Sequence, residues 1–193
     1  MRARLAACRA SACRGAVAVA LLAVAGLSAC TLFEEELPPV CPDVVVLGDA
    51  TRLTRFAEGG GRDLLDVDFD ARIDNVSVGC ELIEEDDETI MMVAVAPIVT
   101  VERGPANRDR EARFDYFISV LDPQQAILNK QTFGIAVRFP GNRSRLTFRD
   151  DAPPVTVDLP LAGGRTPDVF ELVVGFQLSA EELTFNRRRG GRP

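Results

Sequence analysis

In the stretch DVDFDARID, residues 66–74, apolar and charged side chains alternate without a break. Val67, Phe69, Ala71 and Ile73 stand against Asp66, Asp68, Asp70, Arg72 and Asp74. Successive side chains of a strand point to opposite faces, so a strand buries the first set and wets the second. A helix would spread the same carboxylates around its whole circumference. The chain repeats this device. Phe114, Tyr116, Ile118 and Val120 alternate, as do Phe133, Ile135, Val137 and Phe139. Val155, Val157, Leu159 and Leu161 follow, then Phe170, Leu172, Val174, Phe176 and Leu178. VVVL at 44–47 reads as a short, continuously apolar strand, and TIMMVAVAPIVTVE at 89–102 as a long strand apolar on both faces, with Pro97 marking a bulge or an edge.

Turn chemistry separates these runs. EGGGR at 58–62, EEDDE at 84–88, GPANRDRE at 104–111, DPQQ at 122–125, PGNRS at 140–144 and AGGRTPD at 162–168 all break the pattern. A short strand is expected at 146–148. DATRLTRFA, residues 49–57, reads as one helical turn capped by Asp49 or as a loop. Near the end, Ser179 and Glu182 have capping-box spacing, which predicts a short helix to about Asn186. The expected fold is all-β: an immunoglobulin- or fibronectin-like β-sandwich of about seven strands with a short C-terminal helix. A barrel is the alternative. The sandwich is expected over residues 43–186, with 187–193 as a basic disordered tail.

The N-terminus is of another kind. Arg2, Arg4, Arg9 and Arg14 precede an apolar run from Gly15 to Leu27, and no acidic residue occurs before Glu34. The run falls short of the roughly 18–20 residues that a spanning helix needs. Residues 1–29 therefore read as an export signal, with a short membrane anchor as the rival. Leu27, Ser28, Ala29 and Cys30 resemble the lipobox of bacterial lipoproteins. That resemblance implies cleavage between Ala29 and Cys30 and acyl chains on Cys30. Residues 30–42 would then be a lipidated tether, extended by Glu34, Glu35, Glu36, Pro38, Pro39 and Pro42. Several acyl chains on one residue give stable anchoring where a single chain does not. Thr31 in place of aspartate leans towards the outer membrane.

The five cysteines then fall into place. Cys8 and Cys13 leave with the leader and Cys30 takes lipid. Cys41 and Cys80 remain, an even pair in an oxidising compartment, and are expected to form a disulfide. Two separate buried thiols are the alternative. On this reading Cys41 lies just before the first strand and Cys80 just after the second.

Composition narrows the function. The formal charge is −7 for the whole chain, and the leader takes away four arginines and no carboxylate. Such a surface repels nucleic acid. There is no histidine, no tryptophan, one tyrosine and one lysine, Lys130. Histidine-based catalysis and histidine-ligated metals are out, and a sugar-stacking cleft is hard to build. No catalytic, cofactor-binding or metal-binding residue is expected. Asp66, Asp68 and Asp70 read as a solvated acidic face rather than a calcium site, because alternate strand positions point in parallel and wrap an ion poorly. Gly59 to Arg62 lack the lysine of a phosphate loop and read as a flexible turn. Asn75 to Ser77 and Asn142 to Ser144 read as ordinary polar turns. Arg187, Arg188, Arg189 and Arg192 read as a solvated end, or as a contact with an acidic partner, an anionic headgroup or the protein's own acidic face.

Residues 40–81, with DYFISVLDP (115–123) and VGFQLSAEEL (174–183), resemble an envelope lipoprotein family without assigned activity. This implies a class and transfers no site residue. The expectation is a lipid-anchored periplasmic, non-enzymatic structural or protein-interaction module of the cell envelope. Its partners would be the membrane, through its acyl chains, and an envelope protein. The alternative is a carrier of a small or apolar ligand, with a carboxylate-based hydrolase as a weaker third.

Overall fold

The computed structural model describes residues 39–85, 88–161 and 165–190. The expected leader, the Ala29–Cys30 junction and the lipidation site Cys30 lie outside the described residues.

Among the described residues, nine strands and one α-helix follow in order: β1 (Asp43–Val46), β2 (Arg52–Phe56), β3 (Val67–Glu85), β4 (Glu88–Arg103), β5 (Glu111–Leu121), β6 (Ile127–Arg138), β7 (Arg145–Arg149), β8 (Val155–Pro160), β9 (Glu171–Phe176) and α1 (Ala180–Gly190). They build an all-β sandwich. The first sheet has the order β1-β9-β5-β6. In the second, β2-β3-β4 form a meander, and β4 pairs on its far side with β8 along one half and β7 along the other. Three consecutive strands thus lie side by side in one sheet, unlike the ABED and CFG sheets of a constant immunoglobulin domain.

The core sits between the sheets. Phe69, Ile73, Met91, Val93, Val99 and Val101 of the second sheet belong to one buried cluster with Phe114, Tyr116, Ile118, Leu172, Val174 and Phe176 of the first. Each fully buried side chain of this size stabilises the fold by about 1.5–3 kcal/mol. The alternating residues of β5, β8 and β9 supply it as their spacing predicts.

Among the described residues there are nine strands, two more than the seven main ones expected. One addition is β2, which lies in the segment read as a helical turn or loop. Only Gly48–Ala50 forms a helical turn, of 3-10 type. Leu53 and Thr54 of β2 are both buried, though they face opposite sides. With both faces covered, β2 shows no alternation. The short strand expected at 146–148 is β7.

Strand β3 also runs much further than the 66–74 pattern. Its register with β4 passes from Ile73↔Val99 to Asn75↔Ile98, leaving Asp74 as a bulge. An extra residue reverses which parity faces inwards. Beyond it the core-packed residues are Val76, Val78 and Cys80 rather than the odd-numbered ones. Cys80 is therefore inside β3, not after it. Its disulfide to Cys41, with Cα atoms 5.7 Å apart, joins the entry of β1 in one sheet to β3 in the other. Pro97 is at no edge. It occupies the gap between the β8 pairing, which ends at Val95, and the β7 pairing, which begins at Ile98. There its missing N–H costs no ladder bond.

The helix continues to Gly190, so Arg187, Arg188 and Arg189 form its last turn instead of a disordered tail. Basic residues there oppose the negative end of the helix dipole.

Candidate functional site

The capping box expected at the start of α1 is present. Ser179 N–H donates to Glu182 Oε2 at 2.8 Å, and Glu182 N–H donates to Ser179 Oγ at 3.2 Å. The second oxygen of the buried Glu182 accepts from Arg55 Nε at 2.8 Å. That carboxylate therefore starts the helix and ties it to β2. Further along, Phe185 packs edge-on against Phe56, with ring centroids 5.3 Å apart. The Asn186 side chain donates to the Arg52 carbonyl at 2.7 Å and to the Asp49 carbonyl at 2.9 Å. Strand β2 ends its sheet, and α1 covers that edge, a common protection against unwanted strand pairing.

This docking assembles an arginine-rich face on the outside of the second sheet. Register places Arg52 opposite Arg72 and Thr54 opposite Asp70 on β2 and β3. It also places Thr100 opposite Thr147 and Glu102 opposite Arg145 on β4 and β7. Arg189 reaches in from the last turn of α1, its Nη1 3.5 Å from Thr54 Oγ1. Arg52, Arg72, Arg145 and Arg189 line one depression of about 200 Å³ together with Asp70, Ala71, Thr100 and Glu102. Arg72 pairs with Asp74 at 2.5 Å, and Arg145 with Glu102 at 3.1 Å. Thr54 Oγ1 donates to Asp70 and Thr100 Oγ1 to Asp74, each at 2.5 Å.

Around the corner, the loop after β4 forms a second depression of about 560 Å³, lined by charged groups of both signs including Arg55, Asp68, Arg108, Asp109, Glu111 and Arg113. Asn107, buried in the same loop, spends its whole side chain on structure. It donates to Asp68 at 3.0 Å and to the Glu111 carbonyl at 2.7 Å, and accepts from Arg110 N–H at 3.0 Å. Burial raises the Asp68 carboxyl above the ordinary aspartate value, and Asp109 adds to this, while the Asn107 bond and Arg55 oppose it.

On the first sheet, β6 is the last strand, and no described strand pairs its outer side. Residues 127–132 of β6 are all exposed. Ile127 and Leu128 are 64% and 53% exposed, while Lys130 lies over the Phe117 ring, 4.3 Å from its centroid.

The residues singled out from sequence now have positions. Cys41 and Cys80 form the disulfide. Asp66, Asp68 and Asp70 are not simply solvated: each accepts a hydrogen bond from the protein, from Asp63 N–H, Asn107 and Thr54 respectively. Among the described residues, no group of three or more His, Cys, Asp or Glu side chains is placed to hold a metal ion. Arg187 pairs with Asp49 at 2.8 Å, so part of the basic end contacts the protein's own acidic groups. Sequence reasoning missed Arg52, Arg72 and Arg145. They are far apart along the chain, and only the strand register brings them together. No protein-family model, curated protein or solved structure matches this chain.

Proposed function

We propose that this protein is a non-enzymatic interaction module of the bacterial cell envelope, held at the membrane by acyl chains on Cys30. The outer side of β6 would receive an extended segment of a protein partner. The open β6 edge carries this reading. Its first six residues are exposed, and two of them, Ile127 and Leu128, are large and apolar. Strand addition to such an edge gains affinity from main-chain hydrogen bonds and specificity from side chains. Strand β6 holds Lys130 and Arg138 and no carboxylate, so an acidic segment fits it best. The inter-sheet disulfide agrees with an oxidising compartment. The packed core between the sheets and the charged lining of the depression of about 560 Å³ favour this reading over a carrier of apolar ligands.

The test is co-purification from membranes with the wild type, with Cys30→Ser, and with Ile127→Asp plus Leu128→Asp. Both β6 positions are exposed, so the double variant should keep its fold. The expected result is a defined envelope protein that is lost with the β6 variant and depleted with Cys30→Ser. Enrichment of the same proteins by all three forms, or of a lipid or metabolite alone, would overturn the reading.

A further inference from the structure

Arg52 and Arg72 oppose each other directly across β2 and β3. Ile73 N–H donates to the Thr51 carbonyl at 3.0 Å, so the adjoining Arg52–Arg72 pair is a non-hydrogen-bonded one. Facing side chains come closest at such a pair, and like charges there are destabilising. Arg189 and Arg145 add two more guanidinium groups to the same depression. Asp74 takes up Arg72 and Glu102 takes up Arg145, while Asp70 accepts from Thr54. Arg52 and Arg189 have no carboxylate within 4.0 Å among the described residues.

The arrangement is more pointed in an acidic protein. Register sets the level of Tyr116 and Pro97 midway along the strands. Every arginine of β2 to β7 lies on the α1 side of that level. Among the described residues, Lys130 and Arg165 are the basic groups on the disulfide side, amid Asp43, Glu81, Glu84, Glu88, Asp158 and Glu171. Positive charge is thus gathered towards one end, and part of it is placed in mutual opposition. Local rules of this kind are broken mainly where function requires it.

The geometry points to this depression as a binding site for a phosphate group. Guanidinium groups outnumber carboxylates in its lining four to two, which suits a dianion. The planar forks of arginine match phosphate oxygens in pairs. A volume of about 200 Å³ is below the roughly 300–1,000 Å³ of drug-sized ligand sites, so a single phosphate group fits better than a nucleotide. The phosphate can be free or a monoester, or it can be the diester of a lipid or glycan headgroup. The site is independent of the β6 edge and of anchoring.

The test is arginine Nε–Hε NMR on the purified protein, titrated with inorganic phosphate, with dimethyl phosphate, and with sodium chloride at matched ionic strength. The Arg52 and Arg189 signals should shift saturably with phosphate and not with chloride. A shift with dimethyl phosphate as well assigns the site to headgroup diesters, and a shift with inorganic phosphate alone assigns it to free phosphate or monoesters. No saturable shift with either overturns the proposal. Thermal unfolding supplies a second readout. In phosphate-free buffer Arg52→Gln should melt about 1–3 °C above the wild type, because one of two opposed charges is gone. The same variant should lose the rise in Tm that phosphate gives the wild type. A lower Tm for Arg52→Gln without phosphate, with the phosphate response intact, would also overturn it.

Discussion

The Tyr116 hydroxyl donates to the Asp150 carboxylate at 2.8 Å, joining the middle of β5 in one sheet to the end of β7 in the other. Asp150 N–H donates in turn to the Pro97 carbonyl at 2.9 Å. One short polar chain therefore crosses the sandwich at the point where β4 changes partner from β8 to β7.

Burial, then the Asp150 bond and charge, push the Tyr116 phenol well above its ordinary range. The folded state holds this proton, while the unfolded chain releases it near pH 10. The resulting stability is complete below about pH 10 and is lost as the pH rises above it. Tyr116 is the only tyrosine and there is no tryptophan, so phenolate absorbance reports it cleanly. In an alkaline titration that signal should appear only together with the loss of β circular dichroism. A phenolate signal near pH 10 from a folded protein would contradict this. Tyr116→Phe should cost about 1.5–3 kcal/mol, measured by urea unfolding.

Reduction of Cys41–Cys80, or its replacement by two alanines, should destabilise the domain. The cysteines are 39 residues apart in sequence, and the chain-entropy relation gives about 4 kcal/mol for a loop of that size. Urea unfolding with and without reductant measures it. A change below about 1 kcal/mol would mean that the sheets already fix this end without the bond.

Asp68 should make the fold less stable as pH rises. Its folded carboxyl binds a proton more tightly than the unfolded one, so stability falls through the window just above the ordinary aspartate value. Asp68→Asn keeps an acceptor for Asn107 and removes the desolvated charge. The variant should be at least as stable as the wild type at neutral pH and flatter in its pH dependence, read as Tm against pH. A wild type that gains stability through that same window, with the variant flat, would refute the assignment.

At α1, Ser179→Ala should cost about 1 kcal/mol, the usual value of a lost N-cap. Glu182→Ala should cost more, because Glu182 also holds Arg55. Helical circular dichroism and urea unfolding of the two variants give the order. Equal effects would mean that the Arg55 contact adds nothing.

Alternation made β5, β8, β9 and the second half of β6 legible in the sequence, because each sets a row of alternate residues against the core, whereas residues 127–132 of β6 are exposed. It failed at β2, where Thr54 is buried on the face opposite Leu53, and beyond Asp74, where the bulge reverses the inward parity. The capping box is a local signal and was readable, but the docking of α1 depends on Phe56 and Arg55, more than 120 residues earlier. Gly104 gave no signal either. A Cβ there would lie 2.1 Å from the Val67 carbonyl oxygen, a close approach set by the β4 exit crossing the start of β3. The arginine face was hidden for a similar reason. Arg52, Arg72 and Arg145 converge through three strand pairings, with β4 lying between β3 and β7, whereas the end of α1 advertises its arginines in one run.

The position of the disulfide decides how a pull on the N-terminus is carried. Cys41 precedes β1, so tension arriving along the chain meets the covalent bond before it reaches any backbone hydrogen bond of that four-residue strand. The load passes straight into Cys80, within the longest strand and braced along its length by β4. Strand β1, paired in parallel with β9, lies downstream of the bond and is shielded from being peeled away. Reduction would remove that shield and make β1 the first element to yield.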